Sequence, residues 1–263
     1  MTFTKLKLTT EGPVACIWLD QPDTRNAFDD TVIAELTQAF LEAGAAPQVK
    51  AIVMGANGLA FCAGANLHWM RRMADYTRDE NIADAGKLAD MLRTIADCPK
   101  PTIARVQGDV YAGGMGLVAA CDMAVSVDTA GYCLSEVKIG LIPATISPYV
   151  IRAMGARASQ RYFLTAERFT AAEAHRIGFV HEVVAADALD AKVDELLKAL
   201  TGASPAAVRS CKQLIADVTG RAIDDALIAK TVDGIADIRA SDEGREGIQS
   251  FLNKRQPAWL PEA

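Results

Sequence analysis

Histidine is scarce in this chain, with three residues (His68, His175 and His181) in 263. No two of them stand at a ligand spacing, and the six cysteines (Cys16, Cys62, Cys98, Cys121, Cys133 and Cys211) include no CxxC pair. A metal site, a thioredoxin-like redox motif and a disulfide framework are therefore not expected. The thiols read as buried and reduced, in a cytoplasmic protein. Basic excess is also absent. Lys and Arg number 27 against 33 Asp and Glu, a net charge of −6, which argues against a general nucleic-acid binder because that needs a cationic footprint to replace counterions. No run of about 18 apolar residues is present, so no membrane span is expected. The opening MTFTKLKLTT lacks the continuous apolar stretch of a secretory signal. GxGxxG after a strand, GxxxxGK[ST] and GxSxG are all missing, which leaves dinucleotide, P-loop and α/β-hydrolase chemistry unsupported. Internal repeats and low-complexity segments are missing too.

What is present is a globular composition, 51% hydrophobic and 23% charged, long enough to bury a core in one or two domains. Residues 3–8 and 13–20 read as strands, 20–28 as loop, and 30–43 as a helix capped by Asp29 or Asp30 with Val32, Ile33, Leu36, Phe40 and Leu41 on one stripe. A short buried strand (50–56) is followed by a glycine-bearing turn (57–66) and one or two helices up to Cys98, polar enough near 76–84 for a mobile stretch. Strand 101–108, turn 111–116, short helix 116–122 and strand 123–127 continue a βα alternation. Helices then dominate, near 147–154, 157–166, 170–177, 187–200, 205–219, 222–239 and 242–253. Thr170 with Glu173 reads as a capping box, and Ser204 before Pro205 as an N-cap with proline at N1. The plan is an α/β core with a helical C-terminal part, dividing around 185–205.

Two glycine turns each follow a strand and precede a helix: AGAN at 63–66 and AGGMG at 112–116. Small residues there allow close backbone approach, and free N–H groups at a helix start favour developing negative charge. Side by side, two such turns would supply two donors to one oxygen, an oxyanion hole; taken singly, each is equally a tight packing turn. Glu136, in CLSEVKIG, is either an edge-exposed glutamate or a carboxylate whose apolar setting raises its pKa for acid–base work.

These pieces resemble the crotonase, or enoyl-CoA hydratase/isomerase, superfamily. The resemblance rests on TRNAF (24–28), FCAGANL (61–67), KPTIARVQGDVYAGGMGLVAACD (100–122), LSEVKIGLIP (134–143), AERFTAAEAHRIGFVHEVV (166–184) and EGREGIQSFLNKRQPAW (243–259), in the family's order. It implies an α/β spiral of ββα turns over residues 1–195 and a helical C-terminal trimerisation domain over 196–263, with trimers that often pair into hexamers. It implies an acyl-CoA thioester substrate, with CoA as part of the substrate and no other cofactor. By motif position Ala65 and Gly113 would form the oxyanion hole and Glu136 would be the acid/base. Arg25, Ala27, Ala63 and Leu67 would meet CoA, and Phe251 and Lys254 would reach its nucleotide, often from a neighbouring subunit. A lysine suits a phosphate.

The chain also departs from that pattern. Hydratases of the family carry a second glutamate, and Gly116 stands in its place. The glycine run after LIP is replaced by ATISPYV (144–150). The surrounding sequence looks like bacterial methylglutaconyl-CoA hydratases, which implies water addition with Glu136 alone. The alternative is a Δ3,Δ2-enoyl-CoA isomerase, for which one base suffices. His68, Arg71 and Arg72 are candidates for a distal substrate carboxylate, and Tyr111, Ser147 and Tyr149 for the pocket wall. A scaffold that binds acyl-CoA or RNA without turnover is the reading from another class; the negative charge and the lack of a Lys/Arg-rich helix speak against it.

Overall fold

The computed structural model describes residues 2–260. β1 (Leu6–Glu11) and β2 (Val14–Leu19) pair as an antiparallel hairpin and lead, through a 3-10 turn at Pro22–Thr24, to α1 (Asp30–Ala45). The chain then climbs in ββα turns. β3 (Ala51–Ala56) passes to β4 (Ala60–Cys62), α2 (Leu67–Ala74) and α3 (Arg78–Ala96). β5 (Thr102–Val106) passes to β6 (Asp109–Tyr111) and α4 (Gly113–Ala120). β7 (Met123–Val127) passes to β8 (Gly131–Cys133), a 3-10 turn at Glu136–Ile139 and α5 (Ser147–Thr165). The remainder is β9 (Phe169–Thr170), α6 (Ala171–Arg176), β10 (Glu182–Val184), α7 (Leu189–Gly202), α8 (Pro205–Val218), α9 (Asp225–Ala240) and α10 (Asp242–Leu252). The first strand of each turn joins a six-stranded sheet of order β1-β2-β3-β5-β7-β10, and the second joins a four-stranded sheet of order β4-β6-β8-β9. β4, β6 and β8 run parallel. This is the expected α/β spiral.

Local sequence explains the layers. β3 reads AIVMGA and is buried at every residue, as a strand covered on both faces must be. α1 buries Val32, Ile33, Leu36, Ala39, Phe40 and Ala43, and Asp29 caps it by accepting the N–H groups of Thr31 and Val32. α4 is buried from Gly114 through Ala120 and has no polar face. Beyond Val193, Leu227 is the one buried hydrophobic residue among those described, while Ile215, Val232 and Phe251 stand exposed. Among the described residues no helix is long and apolar enough to cross a membrane, and no three His, Cys, Asp or Glu side chains gather as metal ligands.

Several local expectations shift. β1 begins at Leu6 rather than Phe3, because Leu6 stands opposite Leu19, the last residue of β2. The segment 57–66 contains β4, a strand of three residues and too short to show a period. α5 merges the two expected helices across Gly155, whose φ 76, ψ 158 break the helix. Thr170 caps α6, but the Glu173 carboxylate turns to Arg176 and Tyr162 instead of closing a box. The complete capping box is Thr77 with Glu80, and it starts α3 inside the polar stretch. Cys62, Cys98, Cys121 and Cys133 are buried as expected, but Cys16 is half-buried and Cys211 is exposed on α8, a helix with no buried residue.

Loop 20–28 is braced by one side chain. Asn26, 2% exposed and left-handed (φ 54), accepts the Gln21 N–H at 2.9 Å and donates to the carbonyls of Asn57 and Ala60 at 2.8 Å each. Asn26→Ala leaves those groups unpaired and an alanine at positive φ. It should cost about 3 kcal/mol in denaturant unfolding; an unchanged midpoint would show that the brace is not structural.

Candidate active site

The carboxyl ends of three neighbouring parallel strands converge on one region, where ligands of open α/β sheets bind. Ala65 follows β4, Gly113 follows β6, and Glu136 follows β8.

Ala65 sits on a two-stranded ribbon. The Phe28 N–H donates to the Gly64 carbonyl at 2.9 Å, and the Asn66 N–H donates to the Phe28 carbonyl at 2.9 Å. In such a parallel bridge Phe28 uses the amides flanking Ala65, so the N–H of Ala65 itself points away from Phe28. The ribbon extends back through the Ala63 N–H, which donates to the Arg25 carbonyl at 3.0 Å. Arg25, Ala27 and Ala63 thus lie on the same ribbon as Ala65, and Leu67 opens α2 beside them, exposed. Asn66 caps that helix by accepting the His68 N–H at 2.8 Å.

Gly113 is the first residue of α4, where helix geometry leaves an N–H without an intrahelical partner. The preceding Ala112 adopts φ 47, ψ −121, a conformation that favours glycine, and its N–H donates to the Cys133 carbonyl at 2.8 Å. A backbone outlier of this kind costs about 1–3 kcal/mol and persists where the surroundings hold it. The two glycine turns touch: a Cβ on Gly64 would stand 3.1 Å from that of Ala112. Phe28, from the ribbon, lies flush on Gly113, where a Cβ would fall 2.3 Å from its Cζ. Phe28 packs in turn on Trp69 of α2, with ring centroids 5.8 Å apart.

Glu136 opens the 3-10 turn after β8. Its Oε2 is buried with no hydrogen-bond partner, so the edge-exposed alternative does not hold. Burial raises its pKa from the ordinary 4.5, and its own backbone N–H offsets this only in part. Gly116, one turn along α4 from Gly113, faces the side chain of Ile146 rather than any carboxylate. Backbone donors on two touching turns, with a carboxylate that carries a buried, unpaired oxygen after the neighbouring strand, suit stabilisation of an oxyanion with proton transfer.

Other expected residues lie further out. Phe251 ends up exposed on α10, which packs on α8 and α9, and Lys254 follows it at φ 53. Arg72 is committed to Asp30 at 2.6 Å, while Arg71 and His68 are exposed and have no carboxylate partner among the described residues. Ser147 Oγ donates to the Ala144 carbonyl, and Tyr149 lies under the Arg152 guanidinium. The Asn26 brace, the Phe28 wedge and the Ala112 outlier were not singled out from the sequence. The first two lie within TRNAF, where an asparagine before a small residue and an aromatic was the available signal.

Residues 9–261 match the family model for enoyl-CoA hydratase/isomerase. The chain belongs to that family. The crystal structure of an enoyl-CoA hydratase from Shewanella pealeana superposes with a TM-score of 0.95 at 42% identity, covering 98% of this chain and 96% of that one. An enoyl-CoA hydratase/isomerase from Marinobacter aquaeolei gives a TM-score of 0.91 at 30% identity, covering 97% and 98%. The enoyl-CoA hydratase ACTT6 of Alternaria alternata is 32% identical over 245 residues, 92% of this chain and 80% of its own.

Gly113→Ala forces the Phe28 ring, and the ribbon carrying Ala65, to move. Turnover of an enoyl-CoA should fall about 100-fold or more, read from the absorbance of the conjugated thioester. Adding Phe28→Leu, which vacates the space, should restore part of it. Full activity in the single variant would show that the wedge does not set the donors.

Proposed function

We propose that this protein adds water to the double bond of a 2-enoyl-CoA thioester. The observations that carry this reading are the contact between the Ala65 and Gly113 turns and, after the strand that neighbours β6, the buried, unpaired oxygen of Glu136. The thioester carbonyl accepts the N–H groups of Ala65 and Gly113, which hold the charge as the carbonyl becomes enolate-like. Each such donor contributes roughly 3–4 kcal/mol to the transition state. Glu136 takes a proton from water as the oxygen bonds to C3, then returns a proton to C2. Water is thereby added and the carboxylate regenerated. Arg25, Ala27, Ala63 and Leu67 flank CoA, which is part of the substrate; no step needs another cofactor.

The acyl group we favour is 3-methylglutaconyl or a similar branched acid, from the likeness of LSEVKIGLIP and ISPYV to that subgroup. Arg71 or His68 would meet its distal carboxylate, because Arg72 is held by Asp30. Residues 196–263 would form the assembly domain of a homotrimer or a hexamer of paired trimers. In it Phe251 and Lys254 would approach the CoA nucleotide of a neighbour; their exposure is what such a role requires. A cytoplasmic location and no nucleic-acid or membrane partner accompany this reading.

A second reading is favoured by one observation. Ile146 fills the space beside Gly116, where the family's other carboxylate would stand. With Glu136 as sole proton shuttle, a Δ3,Δ2-enoyl-CoA isomerase needs nothing more. Turnover in heavy-oxygen water separates the two. Mass gain on 3-methylglutaconyl-CoA supports the hydratase; a double-bond shift in a 3-enoyl-CoA without label supports the isomerase.

Glu136 acts first as a base, so its ionised form is required. Activity should fall as pH drops through its raised pKa, with the acid limb of kcat/KM above the ordinary glutamate value of 4.5. The raised value also means that the folded state binds this proton more tightly than the unfolded chain does. Ionised Glu136 therefore costs stability at neutral pH, a cost absent in acid below the ordinary glutamate range. Glu136→Gln should abolish turnover while raising the melting temperature; retained turnover would remove Glu136 from the mechanism.

A further inference from the structure

Glu136 rides on a loop fastened at buried residues on either side, Leu134 before it and Pro143 and Ile146 after it, the last at the start of α5. Between these anchors the chain reverses at Gly140 (φ 76) and leaves Ile139, Leu141 and Ile142 exposed. Its hydrogen bonds are local. The Leu141 N–H donates to the Glu136 carbonyl at 3.1 Å, the Ala144 N–H to the Ile142 carbonyl at 2.8 Å, and the Ser147 N–H to the Ala144 carbonyl at 3.1 Å. Such bonds keep the loop compact but do not attach it to the rest of the fold.

Packing attaches it, and at Ile146 the point of contact is defined. A Cβ on Gly116 would stand 2.3 Å from Ile146 Cγ2, 2.8 Å from Ile146 Cβ and 3.4 Å from Leu92 Cδ2. Ile146 therefore occupies the notch that the missing side chain leaves in α4, backed by Leu92 of α3. Gly116 lies within a regular helix, where glycine is the poorest choice short of proline. Its backbone conformation does not call for glycine; the close approach of Ile146 does. Gly113 begins the same helix one turn earlier, so α4 presents the donor at its N-terminus and receives the Glu136 loop at its next turn.

We propose that Ile146 is a positioning residue for Glu136, its side chain keyed into the Gly116 notch so that the loop holds the carboxylate at a set place relative to the Gly113 N–H. The inference rests on the reading of Glu136 as the acid/base. It also explains how the chain dispenses with a carboxylate at 116: that position serves as a socket.

The test is a size swap, with 3-methylglutaconyl-CoA and crotonyl-CoA as parallel substrates and melting curves as the folding control. Gly116→Ala should lower kcat about tenfold or more with KM changed less than about twofold, because the loop is displaced and the CoA-binding ribbon is not. Ile146→Ala should do the same. In the double variant the added methyl occupies space that Ile146 vacates, and kcat should return to within about threefold of wild type. Ile146→Val keeps Cγ2 and should stay close to wild type. A Gly116→Ala enzyme with unchanged kcat, or a double variant whose loss is the product of the single losses, overturns the proposal. If Gly116→Ala does not fold, Ile146→Ala against Ile146→Val carries the test, and equal kcat in the two overturns it. Full turnover by Glu136→Gln in the same assay would instead defeat the acid/base reading, whatever the notch variants do.

Discussion

The Phe28 ring lying flush on Gly113 is the contact on which the candidate site depends. One side of it is the ribbon that turns the Ala65 amide outward; the other is the start of α4. Backbone donors cannot be repositioned by a rotamer change. Their geometry is that of the chain, and the chain here is held by an aromatic ring pressed against a missing side chain. Interiors are close-packed and do not deform continuously, so a methyl group at 113 moves the whole ribbon. The Asn26 brace and the Phe28–Trp69 contact then fix where the ring itself stands.

Helix α4 extends the same logic. It is buried from Gly114 through Ala120, and its three glycines each receive a side chain: Phe28 at Gly113, Cys62 at Gly114 and Ile146 at Gly116. Glycine in a helix weakens it locally, yet packing on every side outweighs that loss. Glu136 shows the complementary compromise. A carboxylate with a buried, unpaired oxygen disfavours the folded state, and that same desolvation raises its pKa above the ordinary glutamate value, which suits it to take up a proton.

Much of this was legible in the sequence. The βα alternation up to residue 127 and the helices after it carried the fold class, since long periodic segments report their structure directly. The two turns at 63–66 and 112–116 were visible as small residues between strand and helix. Motif position supplied Ala65, Gly113 and Glu136, and the ββα path brings all three to the carboxyl ends of adjacent strands. β4, β6, β8, β9 and β10 were not legible, because two or three residues are too few to show alternation. Glu136 was ambiguous for a related reason: its burial comes from elements distant in sequence. The absence of a glutamate at 116 was plain from the first. That Ile146 fills its place required three dimensions, because the two residues lie on elements that meet only through packing.

The central claim is that the Ala65 and Gly113 amides jointly hold the thioester oxygen. A crystal structure with acetoacetyl-CoA, whose enolate resembles the intermediate, tests it most directly. Both N–H nitrogens should lie about 3 Å from that oxygen, with the Glu136 carboxylate facing C2 and C3. A thioester oxygen bound by side chains or solvent away from either amide would contradict the account.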